Sequence, residues 1–181
     1  MERRRGSDPT TAELWKKIRA KHPPFFAAVL AALPTLRTAL VAFDTAVVDL
    51  TEQLHDPVEV LLGVQLGGGT DIDRAVAYCE TLIRRPHETL LILVSDLFEG
   101  GPRDGLLPRV ARLLARGVRV IVLLALSDSG VPAYDHETAT ALAGLGVPAF
   151  AATPDTFPEL LAAALAGREL TPRADRPSGR A

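Results

Sequence analysis

Two residues in this chain have the type and setting to hold a hard cation. Thr70 follows the glycine run 67–69 directly, and Asp96 ends a run that starts with five consecutive apolar residues, 90–94. A hydroxyl, a carboxylate and water are the oxygen donors that Mg²⁺ takes in octahedral geometry. A carboxylate buried alone is costly, so Asp96 must be hydrogen-bonded, solvated or metal-bound. Each residue also has a plainer role open to it. Thr70 and Asp73 have capping-box spacing, which makes Thr70 a helix N-cap. The two roles are compatible, because one hydroxyl lone pair can cap while another coordinates. The glycines fit a turn that needs positive φ, Asp96 fits a carboxylate held by neighbouring amides, and Glu99 reads as a solvated loop residue.

Other chemistries find less support. A glycine-rich loop entering a helix can cradle a phosphate, so the 67–70 loop admits a second reading as a nucleotide- or phosphate-binding enzyme. Against it, no lysine follows the glycines, the G-x-G-x-x-G spacing is missing, and a helix precedes the loop where both fingerprints need a strand. His22, His55, His87 and His136 are scattered without metal-ligand spacing. Ser95 lacks a G-x-S-x-G elbow. Cys79 falls on the core face of a helix with no basic partner to lower its pKa. No acid–base pair or nucleophile is placed for catalysis, and an enzyme is not expected.

These residues must be positioned by a soluble α/β domain. The chain has 181 residues, enough for one domain with a substantial core, and 48% hydrophobic with 23% charged residues is ordinary for such a domain. Twenty basic and 22 acidic residues leave a net charge of -2, which is no nucleic-acid footprint. A single cysteine suits a reducing compartment. No apolar run approaches the ~20 residues of a membrane span, and no signal peptide is visible. A cytoplasmic protein is the expectation.

In chain order, a short helix follows Thr10 and ends at Pro23-Pro24. A second helical piece occupies 25–33. Strands are expected at 39–43 and 46–50, joined by the two residues Asp44-Thr45 as a tight hairpin. Asp56-Pro57-Val58-Glu59 starts a helix to about residue 65. A helix over 70–84 places residues 72, 75, 76, 79, 82 and 83 inward. The 90–94 run reads as a strand buried on both faces, with Asp96 at its carboxyl end, where open parallel sheets bind ligands. Then come a helix over 103–116 with Gly117 as its cap, a strand over 118–126, a helix from Asp135 to Gly146, a strand over 147–152 and a helix from Thr156 to residue 166. Strand and helix alternate after residue 89, so the class is α/β: a three-layer fold with a mostly parallel sheet between helices.

The order V-A-F-D-T (41–45), L-G-G-G-T-D-I (66–72), L-I-L-V-S-D-L-F-E-G-G (91–101) and G-V-R-V-I-V-L-L-A-L (117–126) resembles a von Willebrand factor type A (VWA) domain, closest to the intracellular bacterial CoxE-like branch. The resemblance covers 25–167, with 1–24 a non-family segment and 168–181 a disordered tail. It implies a Rossmann-like fold and a non-enzymatic protein-interaction module. It also implies a metal-ion-dependent adhesion site binding Mg²⁺, with Thr70 and Asp96 as metal ligands, and a protein partner such as a MoxR-type AAA+ ATPase. The family's third ligand set, D-x-S-x-S at the end of its first central strand, has no counterpart among the five serines, Ser7, Ser95, Ser127, Ser129 and Ser178. No strand-like run precedes residue 25 either. The expectation is therefore an amino-terminally truncated VWA domain with an incomplete site and weak metal affinity, or else a fragment without independent function. Its sheet would close by direct pairing of the 39–43 strand with the Asp96 strand, by a strand from another chain, or not at all.

Overall fold

The computed structural model describes residues 37–55, 70–100, 104–124, 133–151 and 157–168. The expected helices over 10–22, 25–33 and 56–65, the glycines 67–69 and the tail 169–181 lie outside them. Strands β1 (Val41–Phe43) and β2 (Val47–Asp49) form an antiparallel hairpin in which Val41 faces Asp49 and Phe43 faces Val47. Each strand is shorter than expected. The connection is residues 44–46, one more than the two read from the sequence. No glycine is needed, because the Asp44 carboxylate accepts the Ala46 amide at 2.6 Å and closes the turn.

Strands β3 (Leu90–Ser95), β4 (Arg119–Leu124) and β5 (Ala149–Ala151) make a second sheet, parallel throughout and ordered β3-β4-β5. Helices α2 (Leu106–Ala115) and α3 (His136–Gly144) are the crossovers between them, and α4 (Phe157–Leu165) follows β5. This is the expected mixed α/β fold, a parallel sheet flanked by helices. Among the described residues β1 does not pair with β3, so direct strand pairing is not how the hairpin joins the sheet. Helix α1 (Ile72–Leu82) makes the join: it packs on both hairpin strands and on α2, which in turn packs on β4.

The core lies between α1, α2 and the parallel sheet, with Ile72, Val76, Leu93, Leu97, Val110, Leu113 and Val122 among its buried members and Phe43 of the hairpin packed against it. Burial distinguishes the two longer strands. Residues 120–124 of β4, the middle strand of the three, are all buried. In β3 only Leu93 and Ser95 are buried, while Leu90, Leu91, Ile92 and Val94 are half-buried. The expectation that β3 is covered on both faces is thus corrected. Among the described residues β3 has a strand on one side only.

Polar links also tie α1 to its neighbours. Arg109 of α2 donates to Asp73 at 2.7 Å and to Glu80 at 3.3 Å, and Arg116 reaches Glu80 at 2.8 Å. The Arg109 pKa is raised, first by its hydrogen bond to Asp73. Tyr78 donates to Asp49 of β2 at 2.8 Å. The apolar stripe of α1 is only partly inward: Ile72, Ala75 and Val76 are buried and Ile83 at its C-cap packs against the core, but Leu82 is 37% exposed. Helix α2 stops as expected at Gly117, where φ of 90° lets the Val118 amide return to the Leu113 carbonyl.

Candidate functional site

Thr70 and Asp96 arrive at the same edge of the molecule from separate elements. Asp96 follows the last residue of β3, and Thr70 precedes α1. The helix begins later than expected, and its N-cap is Asp71, whose carboxylate accepts the Arg74 amide at 2.9 Å. The capping role read for Thr70 is therefore corrected. Asp71 takes it because its carboxylate stands one residue nearer the first helical turn, where ionised acceptors are favoured. Thr70 instead lends its carbonyl to the Gly100 amide at 2.6 Å.

The loop after β3 is fixed from several directions. Ser95 Oγ accepts the Leu97 amide at 3.0 Å and Asp96 Oδ1 accepts the Phe98 amide at 3.2 Å. The Asp96 carbonyl accepts the Asp135 amide at 2.9 Å, which joins this loop to the start of α3. Leu97 has a left-handed φ of 63° with its side chain fully buried, and Phe98 next to it is 52% exposed. Glu99 is half-buried, and its Oε1 accepts the Ile72 amide at 3.0 Å. The reading of Glu99 as solvated is corrected: it closes the first turn of α1 from a loop 27 residues away. The hairpin turn joins the same edge, since the Asp44 carbonyl accepts the Asp71 amide at 2.8 Å.

Sequence reasoning missed Glu99, Asp44 and Asp71 as members of this edge. Asp71 carried a local signal, an acidic residue beside the first helical turn. The other two act through long-range bonds that no spacing in the chain records.

The remaining candidates fall elsewhere. Cys79 is half-buried, and burial, reinforced by the charge of Asp49, pushes its thiol up to about 11. Such a thiol stays protonated at neutral pH and is a poor nucleophile. His87 is exposed before β3, His136 lies against Tyr134 with ring centroids 4.2 Å apart, and the two are far apart in the chain. No described helix is long and apolar enough to cross a membrane.

A parallel sheet flanked by helices, with polar loops gathered at the carboxyl end of β3, defines a mixed α/β protein of Rossmann-like class. The sequence matches the family described as VWA domain containing CoxE-like protein over residues 16–161. It is also 47% identical over 141 residues to the uncharacterized protein YehP of Escherichia coli K12, an alignment covering 78% of this chain and 37% of that relative. The chain belongs to the CoxE-like VWA family. It spans a little over a third of the length of the relative it matches. No solved structure gives a significant match.

The described residues permit a test of the family's Mg²⁺ against this chain. Thr70 and Asp96 have the right donor chemistry, and one oxygen of Asp96 is already engaged by the Phe98 amide. Of the neighbouring carboxylates, Glu99, Asp71 and Asp44 each commit an oxygen to a backbone amide. No group of three or more His, Cys, Asp or Glu side chains able to hold a metal occurs among the described residues. The carboxylates of this edge are thus committed to backbone amides, and among the described residues they do not form a closed protein cage for Mg²⁺.

Proposed function

We propose that this chain is a non-enzymatic protein-interaction module whose binding face is the edge carrying Thr70 and Asp96. The observation that carries the reading is the direct bond between their two segments, the Gly100 amide on the Thr70 carbonyl, in a chain of the CoxE-like VWA family. In this reading Thr70 and Asp96 hold a hydrated Mg²⁺, and the ion offers a coordination position to an acidic side chain of the partner. A MoxR-type AAA+ ATPase is the proposed partner, in keeping with the company that this family keeps. The non-enzymatic part is supported by the protonated state of the Cys79 thiol and by the engagement of the edge carboxylates with backbone amides.

The test is a binding assay between the purified chain and a purified MoxR-type ATPase. Binding is expected with Mg²⁺ and is expected to fall at least about tenfold with EDTA, with Asp96→Ala and with Thr70→Ala. Partner binding that survives both substitutions removes the metal from the mechanism. Saturable binding of ATP to this chain alone overturns the non-enzymatic reading.

A further inference from the structure

We infer that Glu99 is a positioning residue, which clamps the Thr70 segment to the Asp96 loop and so sets the spacing of the two ligand candidates. The inference rests on the reading of these residues as a cation-holding site. Glu99 stands three positions after Asp96, and the amide it accepts, that of Ile72, stands two positions after Thr70. The first amides of a helix have no intrahelical acceptor, and Ile72 is the first residue of α1. Its side chain is fully buried, and its amide finds an acceptor in Glu99 Oε1 at 3.0 Å. A carboxylate is the favoured acceptor there, because the helix dipole places partial positive charge at that end.

The Gly100 amide on the Thr70 carbonyl, at 2.6 Å, is the second point of the same clamp. Residues 70–72 are thus gripped at both ends by the consecutive residues Glu99 and Gly100. Asp71 in the middle is held by the Asp44 carbonyl at 2.8 Å. On the other side, Asp96 is fixed through its carbonyl by the Asp135 amide at 2.9 Å. Of these links the Glu99 bond alone is made by a side chain of the Asp96 loop, so a substitution can remove it and leave the backbone bonds in place. Glutamine keeps a carbonyl oxygen where the carboxylate accepts; alanine has none.

The experiment uses the full chain as wild type, Glu99→Gln and Glu99→Ala. Hydrogen exchange of the Ile72 amide is followed by NMR, and Mn²⁺ alone is titrated by electron paramagnetic resonance. In Glu99→Ala the Ile72 amide is expected to exchange about tenfold faster or more, and Mn²⁺ to bind correspondingly weaker. Glu99→Gln is expected to stay within about threefold of wild type in both readouts. An Ile72 amide as protected in Glu99→Ala as in wild type overturns the clamp. Unchanged Mn²⁺ affinity in Glu99→Ala, despite a deprotected Ile72, overturns the positioning role. A wild type that binds no Mn²⁺ defeats the cation reading instead, and the exchange rates then decide the clamp by themselves.

Discussion

At Leu97 two energies oppose each other beside the candidate site. Its left-handed φ of 63° is a conformation that costs an L-residue roughly 1–2 kcal/mol. Its side chain is fully buried in the core, and deleting such a side chain costs about 3–5 kcal/mol. Burial outweighs strain, so the core holds the strained turn closed, assisted by the bonds from Leu97 to Ser95 Oγ and from Phe98 to Asp96 Oδ1. A left-handed residue between them turns Leu97 into the core and leaves Phe98 at the surface beside Asp96. Leu97→Gly would relieve the strain yet still lower stability, by about 1–4 kcal/mol when both effects are combined. Denaturant unfolding checks this, and a stabilised variant would mean that strain outweighs burial. Nothing in the sequence disclosed this turn, because leucine carries no preference for positive φ.

Among the described elements, α1 decides where the site sits, since it packs on both hairpin strands and on α2. Its hold on α2 is electrostatic as well as apolar. Arg109 serves Asp73 and Glu80 at once, and Gly105 at the start of α2 leaves room for the Asp73 carboxylate where a Cβ would collide with it. Arg109→Met keeps most of the aliphatic stem and removes the charge, leaving Asp73 without this partner and Glu80 with Arg116. The expected loss is about 1–2 kcal/mol by thermal or denaturant unfolding. A double-mutant cycle with Asp73→Asn should show coupling, whereas strictly additive effects would reduce the pair to a surface contact. The existence and order of these elements were legible, because strand and helix alternation and the N-cap at Asp135 are local signals. The ion pairs between α1 and α2 were not, since Arg109 and Asp73 stand 36 residues apart and nothing local pairs them. Nor was the N-cap of α1: Thr70 and Asp71 are adjacent cap formers, and only the backbone geometry chooses between them.

At the scale of the whole molecule, the five strands described lie in two sheets, and α1 spans them. The class was readable from periodicity alone. The separation of the sheets was not, because the apolar run 90–94 looks the same in an interior strand as in one flanked on a single side. Burial tells them apart: β4 is buried from Val120 to Leu124, whereas half-buried residues alternate with buried ones at the end of β3. Backbone amides should tell them apart too. The Arg119 amide donates to the Thr89 carbonyl, and Leu91 to Ser95 run parallel beside Val120 to Leu124. Parallel geometry then directs the amides of Leu91, Leu93 and Ser95 toward β4 and those of Ile92 and Val94 away from it. Hydrogen exchange should therefore alternate along β3, with Ile92 and Val94 exchanging at least about tenfold faster than Leu91 and Leu93. Uniform protection along the strand would mean that a further strand covers this edge. Residues half-buried here, Ile92 and Val94 first, would then be interior in the protein as it works, and Asp96 would lie at the end of a central strand.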